Sequence, residues 1–421
     1  MDFEVQVVES SFVTPTEPAP RTGLWLSSLD LEQANQGHTP TIYLYSSNDV
    51  AAAADFFDVV RLKEAMARAL VAFYPLAGRL GINNDDGRME ISCNGEGALF
   101  VVAQADDLTA DDVKKFKPSP ELRRLFVPLI EPSSSVILAA VQVTFLKCGG
   151  VALGTALHHV AVDALSTFHF LQTWSAFSKH GDRATVELPC HDRTLLRARS
   201  PPTVHPDALL TFYPKHAFSD PLALGPLAIQ VLTISKDQIA SLKHLCGGGT
   251  TSTFCAVSAL LWQCTCVARR LPPDSQARLA FPADLRHRIR PPLPSRYFGN
   301  AVFRLCVTGV ARDIATEALG SVAGRIRGSV DRMDDEMVRS AIDYFEMAEM
   351  DSRPPRGTLP QTDLHISSWL GRPQYDADFG WGKPELMSLA ENHRGGFVFL
   401  MHDDDGAGSS GDVRLLMCME A

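Results

Sequence analysis

Apolar and polar positions along the chain switch between a period of two and a period of three to four, which predicts strands alternating with helices. "EVQVVESSFV" (4–13) and "TIYLYSS" (41–47) read as strands. "FDVVRLKEAMARALVAF" (57–73) has helical spacing and ends at the proline of "YPLAGRL" (74–80). "RMEISC" (88–93) and "ALFVVAQA" (98–105) read as extended. Residues 136–159 read as two strands around the turn at Gly149 and Gly150, and a helix follows over 164–180. Residues 186–214 are rich in proline and short of periodicity, as a crossover between domains is. The pattern then restarts with a strand at 228–235, a helix at 236–246, a Gly/Thr loop at 247–253, a helix at 254–270 and a strand at 277–286. A helix near 311–350, a run of turns, and strands at 395–402 and 412–420 close the chain. The fold class is α/β, with an N-terminal domain over 1–185, a linker over 186–214 and a C-terminal domain over 215–421.

The 421 residues are 45% hydrophobic and 21% charged, ordinary for a chain that builds two substantial domains. A net charge of -10 favours neither nucleic acid nor an anionic membrane surface, so an anionic ligand needs a local site. No run of about 18 apolar residues occurs, and no basic segment leads into an apolar one, which gives the expectation of a cytoplasmic protein. Nine scattered cysteines without CxxC spacing read as buried thiols in a reducing compartment.

"ALHHVAVDALS" (156–166) places His158, His159 and Asp163 in an apolar setting, where strand gives way to helix. Buried imidazoles and carboxylates cost free energy unless they are paired. Packing accounts for such a histidine as readily as catalysis does, and Asp163 suits the N-cap of the following helix. Two histidines without HExxH are too few for a metal site, and no GxSxG elbow supplies a triad nucleophile. A histidine base without its own protein nucleophile remains, which fits direct attack by an external alcohol or amine.

"HHVAVD" (158–163) and "DFGWG" (378–382), in that order, resemble the two signatures of the BAHD family of plant CoA-dependent acyltransferases. "YPLAGR" (74–79), "CGGVALG" (148–154), "TFHFLQTWS" (167–175), "RIRPPLPSRYFGN" (288–300) and "ISSWLGRPQYDADFGWGKP" (366–384) are similar to its hydroxycinnamoyl-CoA transferase branch. The resemblance implies two chloramphenicol-acetyltransferase-like domains of similar topology, each a mixed sheet with helices. The first carries HHxxxD, the second DFGWG, and a channel runs at their interface. It also implies a monomer without metal or permanently bound cofactor, which uses acyl-CoA as co-substrate and a small alcohol or amine as acceptor.

By the same resemblance His159 is the general base, and Ser367 and Trp369 of "SSW" stabilise charge developing on the thioester oxygen. Ser367 stands where this branch usually has Thr. Asp163 pairs with Arg286, and Asp378, Gly380, Trp381 and Gly382 are scaffold. Thr39, Thr41, Tyr43 and Arg356 fall at acceptor-binding positions. Ser252 and Thr253, just before a helix, are candidates for holding CoA phosphate, although an N-cap explains them equally well. An arginine at 356 suits a carboxylate, hence an acidic alcohol such as shikimate or quinate. Relatives in the branch acylate amines such as putrescine, agmatine, tryptamine or anthranilate. Three departures stand out: a shortened interval between Arg356 and "SSW", Ala164 in place of a common glycine, and an end at "MCMEA" short of an expected final helix. The rival readings are a non-catalytic acyl-CoA-binding relative and a zinc hydrolase using His158, His159 and Asp163. His158 has no catalytic assignment and is expected to pack or hydrogen-bond behind the loop.

Overall fold

The computed structural model describes residues 3–46, 55–130, 136–209, 212, 226–348, 357–403 and 411–421. The strands of two six-stranded sheets are, in chain order, β1 (Gln6–Val13), β2 (His38–Tyr45), β3 (Ala98–Ala105), β4 (Ala139–Leu146), β5 (Val151–His158), β6 (Leu227–Ile234), β7 (Gln276–Asp284), β8 (Val302–Val310), β9 (Asp363–Ser368), β10 (Leu386–Leu389), β11 (Phe397–Asp403) and β12 (Asp412–Glu420). The first sheet runs β1-β3-β4-β5-β2-β10 and the second β6-β12-β11-β9-β7-β8. Both are mixed, with β3 parallel to β4 in the first, β9 parallel to β7 and β11 in the second, and the other neighbours antiparallel.

Each sheet belongs to one of two compact units. One comprises Met1–Arg197, Pro294–Asn300 and Arg372–Glu391, the other Ala198–Leu293, Ala301–Gly371 and Asn392–Ala421. The chain first leaves the N-terminal unit at Arg197, inside the expected crossover. "DFGWG" falls in the first unit, whereas the sequence reading placed it in the second. The reason is strand pairing: β10 adds to β2, with Met387 opposite Tyr43 and Leu389 opposite Thr41, and draws the preceding segment with it.

Helix α1 (Val59–Ala72) is capped by Asp58 and buries Leu62, Met66 and Leu70. Helix α2 (Ala164–His180) is capped by Asp163, and its fully buried Trp174 donates from Nε1 to the Leu62 carbonyl at 2.9 Å, tying the two helices together. In the second unit α3 (Lys236–Leu245) and α4 (Thr253–Ala268) match their expected spans closely. The single helix expected near 311–350 is three, Ala311–Thr316, Leu319–Asp331 and Asp335–Met347. Extended backbone at Glu317 and Ala318 makes the first break, and Asp334 caps the last helix by accepting the Met337 amide. The expected run of turns contains β9 and β10. "DLHISS" alternates over only two apolar residues, and the hydrogen bonds of β7 and β11 on either side make it a strand. Cys93, Cys255, Cys266, Cys306 and Cys418 are buried, but Cys148 and Cys264 are exposed, against expectation. No helix among the described residues is long and apolar enough to cross a membrane.

Candidate active site

The HHxxxD segment is the corner between β5 and α2, within the first unit. His158 ends the strand, buried, with the His38 ring edge-on at 4.9 Å. Its Nδ1 accepts the Val160 N–H at 3.2 Å, which requires that nitrogen to be unprotonated. Burial, then the neighbouring His38 and His159, push its pKa down to about 3. His158 is therefore a neutral prop of the turn, packed and hydrogen-bonded behind the loop.

His159 is held by its backbone at both ends. Its N–H donates to the Gly37 carbonyl at 2.8 Å, and its own carbonyl accepts Nδ2 of Asn300 at 2.8 Å. The next carbonyls are gripped as well, that of Ala161 by Arg193 at 2.8 Å and that of Val160 by Arg193 and Asn300 at 3.4 Å each. Behind these donors lies Asp30. One of its carboxylate oxygens accepts the Asn300 N–H at 2.9 Å and Nδ2 at 3.0 Å and lies 3.1 Å from the Arg193 guanidinium. The other accepts the N–H and hydroxyl of Ser27 at 3.0 and 2.7 Å. The side chains of Asp30 and Arg193 are both 0% exposed, so each is the other's compensation for lost hydration.

This clamp of Asp30, Arg193 and Asn300 went unnoticed in the sequence. Ser27 and Asp30 have the S-x-x-D spacing of a capping box, which was legible and did form. Arg193 lies in the aperiodic crossover with nothing to single it out, and Asn300 reaches the site only by folding back from beyond the linker.

Asp163 is buried and accepts the Ser166 N–H at 3.0 Å, the N-cap that its position suggested. Ser166 Oγ lies 3.1 Å from both the carbonyl and the N–H of Gly299, fixing the start of α2 against the "YFGN" segment. Asp378 accepts the amides of Gly380 and Gly382 at 2.8 and 3.0 Å and meets Lys179 of α2 at 2.5 Å. Burial opposes its charge, yet the Lys179 contact and the two amide bonds bring its carboxyl below the usual range. Gly380 and Gly382 have φ of 110° and 102°, which only glycine adopts readily. Trp381 stacks on Phe57 at 5.2 Å with the Arg61 guanidinium 4.7 Å from its ring.

On β2, Thr41 shares a 2.6 Å hydroxyl contact with Thr155, Tyr43 is buried with its hydroxyl pKa pushed up by burial, and Thr39 is half-buried. In the second unit Ser367 lies on β9 with Oγ 3.3 Å from His365 Nε2. Trp369 follows it, edge-on to Phe399 at 5.9 Å, its backbone N–H bonded to the Leu400 carbonyl at 2.8 Å. Arg286 is buried and bonds Asp284 through its backbone N–H at 3.0 Å and its guanidinium at 3.5 Å. Ser252 caps α4 by accepting the Cys255 N–H at 3.1 Å, and Thr253 opens that helix. Arg356 lies outside the described residues. No group of three or more His, Cys, Asp or Glu that could hold a metal ion occurs among the described residues.

Comparison with known proteins agrees with this architecture. The profile of the Transferase family matches residues 3–421. The chain is 43% identical over 428 residues to putrescine hydroxycinnamoyltransferase 1 of Oryza sativa subsp. japonica, covering 96% of this chain and 94% of the relative. It is 37% identical over 424 residues to the shikimate O-hydroxycinnamoyltransferase of Nicotiana tabacum, covering 97% and 95%. The crystal structure of vinorine synthase, 23% identical, has the same fold with a TM-score of 0.74 over 99% of this chain and 95% of that one. These matches, together with the two-unit fold, place the chain among the transferases. The chain belongs to the Transferase family, that of the BAHD enzymes, and is a CoA-dependent acyltransferase.

Proposed function

We propose that this enzyme transfers a hydroxycinnamoyl group, of the p-coumaroyl, caffeoyl or feruloyl type, from CoA to a small acceptor with His159 as general base. The carrying observation is the fixed backbone of His159 at a corner where His158 serves the Val160 amide and Asp163 caps α2. The acceptor's oxygen or nitrogen attacks the thioester carbonyl while its proton passes to His159. The oxyanion is met by Ser367 and Trp369 until the C–S bond breaks, and the CoA thiolate leaves with the proton returned by the imidazolium. No acyl-enzyme forms.

In this reading Asp163 also pairs with Arg286, Thr39, Thr41, Tyr43 and Arg356 hold the acceptor, and Ser252 and Thr253 meet CoA. The enzyme works as a cytoplasmic monomer without metal or resident cofactor. The acceptor is a hydroxyl compound of the shikimate or quinate kind. N-acylation of an amine is the second reading, favoured by the 43% identity to a relative named for putrescine. The test is thiol release from p-coumaroyl-CoA with shikimate, quinate, putrescine, agmatine, tryptamine and anthranilate offered separately. One acceptor should drive release that falls by about 10²–10⁴-fold in His159→Ala; undiminished release in that variant refutes the base assignment.

A further inference from the structure

Strands β9 and β11 of the second sheet pair in parallel as far as Ser368 and Leu400. Trp369 comes next in the chain and opens a turn that three backbone N–H groups fix. The Trp369 N–H donates to the Leu400 carbonyl at 2.8 Å, and the Leu370 N–H donates to Ser368 Oγ at 3.3 Å. The Gly371 N–H donates to Nε2 of His402, near the end of β11, at 2.8 Å. All of these residues lie in the second unit.

The first two bonds come from the strand ladder and from the turn itself, whereas the far end is held by the His402 side chain. Gly371 has φ of 72°, a left-handed conformation, and nothing lies within 4 Å of the place a Cβ would take. Glycine in so open a place regains the most conformational freedom when its amide is released. Successive residues of a strand face opposite sides. Phe399, which Trp369 meets edge-on at 5.9 Å, therefore points away from the face of β11 that carries His402. His402 thus acts on the turn through its backbone, from the face opposite Phe399.

We infer that His402 is a positioning residue for the oxyanion donor: its bond to Gly371 fixes the turn that aims the Trp369 indole at the thioester oxygen. This rests on the proposal that Trp369 meets that oxygen. A group displaced by about 1 Å loses up to about 10²-fold in rate, so a turn freed at one end should cost about tenfold. The loss falls on the transition state, where the charge develops, and leaves binding of the acyl-CoA in place.

The experiment measures thiol release from p-coumaroyl-CoA, with shikimate and with putrescine, for the wild type, His402→Ala, His402→Gln, Trp369→Phe and the double variant of His402→Ala with Trp369→Phe. His402→Ala should lower kcat by about tenfold, with KM for p-coumaroyl-CoA changed by less than about threefold. His402→Gln, whose amide oxygen accepts the Gly371 N–H at a similar reach, should restore kcat to within about threefold of wild type. In the Trp369→Phe background His402→Ala should cost less than about twofold more, because residues that act through one contact are not additive. Amide exchange of residues 369–371 should quicken by about tenfold in His402→Ala and stay near wild type in His402→Gln. Unchanged kcat in His402→Ala, or its full loss added to that of Trp369→Phe, overturns the inference and leaves His402 a structural residue. If Trp369→Phe itself keeps wild-type kcat, the oxyanion reading has failed; a loss in His402→Ala that His402→Gln restores still supports a positioning role, and no loss overturns it. If neither acceptor releases thiol, amide exchange that quickens only in His402→Ala still supports the hold on the turn, and unchanged exchange overturns it.

Discussion

Asn300→Ala tests whether the clamp beneath His159 positions the base. The substitution removes an Nδ2 that donates to the His159 carbonyl at 2.8 Å and to Asp30 at 3.0 Å, in a place where Asn300 and Asp30 are 0% exposed. The His159 carbonyl then loses its side-chain donor, which costs about 1–3 kcal/mol when no water replaces it. Asp30 keeps the Asn300 backbone N–H and Arg193, so its loss is nearer about 1 kcal/mol. The sum, about 2–4 kcal/mol, is a substantial share of the roughly 5–15 kcal/mol that holds a domain folded, but does not by itself unfold it. A catalytic group displaced by about 1 Å loses up to about 10²-fold in rate. Thiol release by the folded variant should therefore show kcat reduced by about ten- to a hundredfold, with KM for p-coumaroyl-CoA changed by less than about threefold. Urea titration of the same preparation measures the stability term separately. A stability loss of the expected size with kcat within twofold of wild type would refute the positioning role and leave Asn300 as a structural residue.

Acid should destabilise the protein through its buried neutral histidines. His158 is depressed to about 3 and His191 to about 4, chiefly by burial, against an ordinary value of 6.5. Their contribution is complete above pH 6.5 and is lost as the pH falls toward those values, by about 1.4 kcal/mol per pH unit for each histidine. Urea midpoints should fall from pH 6.5 to 4.5, and His158→Gln should flatten that slope; an unchanged slope contradicts the burial argument. Gly380→Ala should lower stability by more than about 1 kcal/mol, because its backbone is left-handed and the new Cβ would lie 2.7 Å from the Arg61 guanidinium. Thermal melting checks this, and an unshifted melting temperature refutes it. Asp378→Ala should cost about 2–4 kcal/mol, since it frees two amides and Lys179 together. A kcat measured where that variant stays folded should be near wild type, and a large fall would give Asp378 a role beyond scaffold.

Local periodicity and local chemistry were determined by the sequence alone. Leu62, Met66 and Leu70 at helical spacing announced α1, the turn at Gly149 and Gly150 announced β4 and β5, and Asp163 just before a helical run announced its own capping bond. The paired motifs carried the family, because HHxxxD and DFGWG in that order are specific where each alone is not. What waited for the tertiary structure were contacts between distant segments. "DFGWG" enters the first unit because a four-residue strand finds its partner in β2, a choice set by free sheet edge and packing, on which short strands leave almost no local trace. Asp30, Arg193 and Asn300 meet under His159 because burial forces every charge and amide to find a partner, and the partner available in space lies about 160 to 270 residues away along the chain. The face of β9 that carries His365 and Ser367 was likewise decided by strand register, since a shift of one residue would exchange them with Leu364 and Ile366.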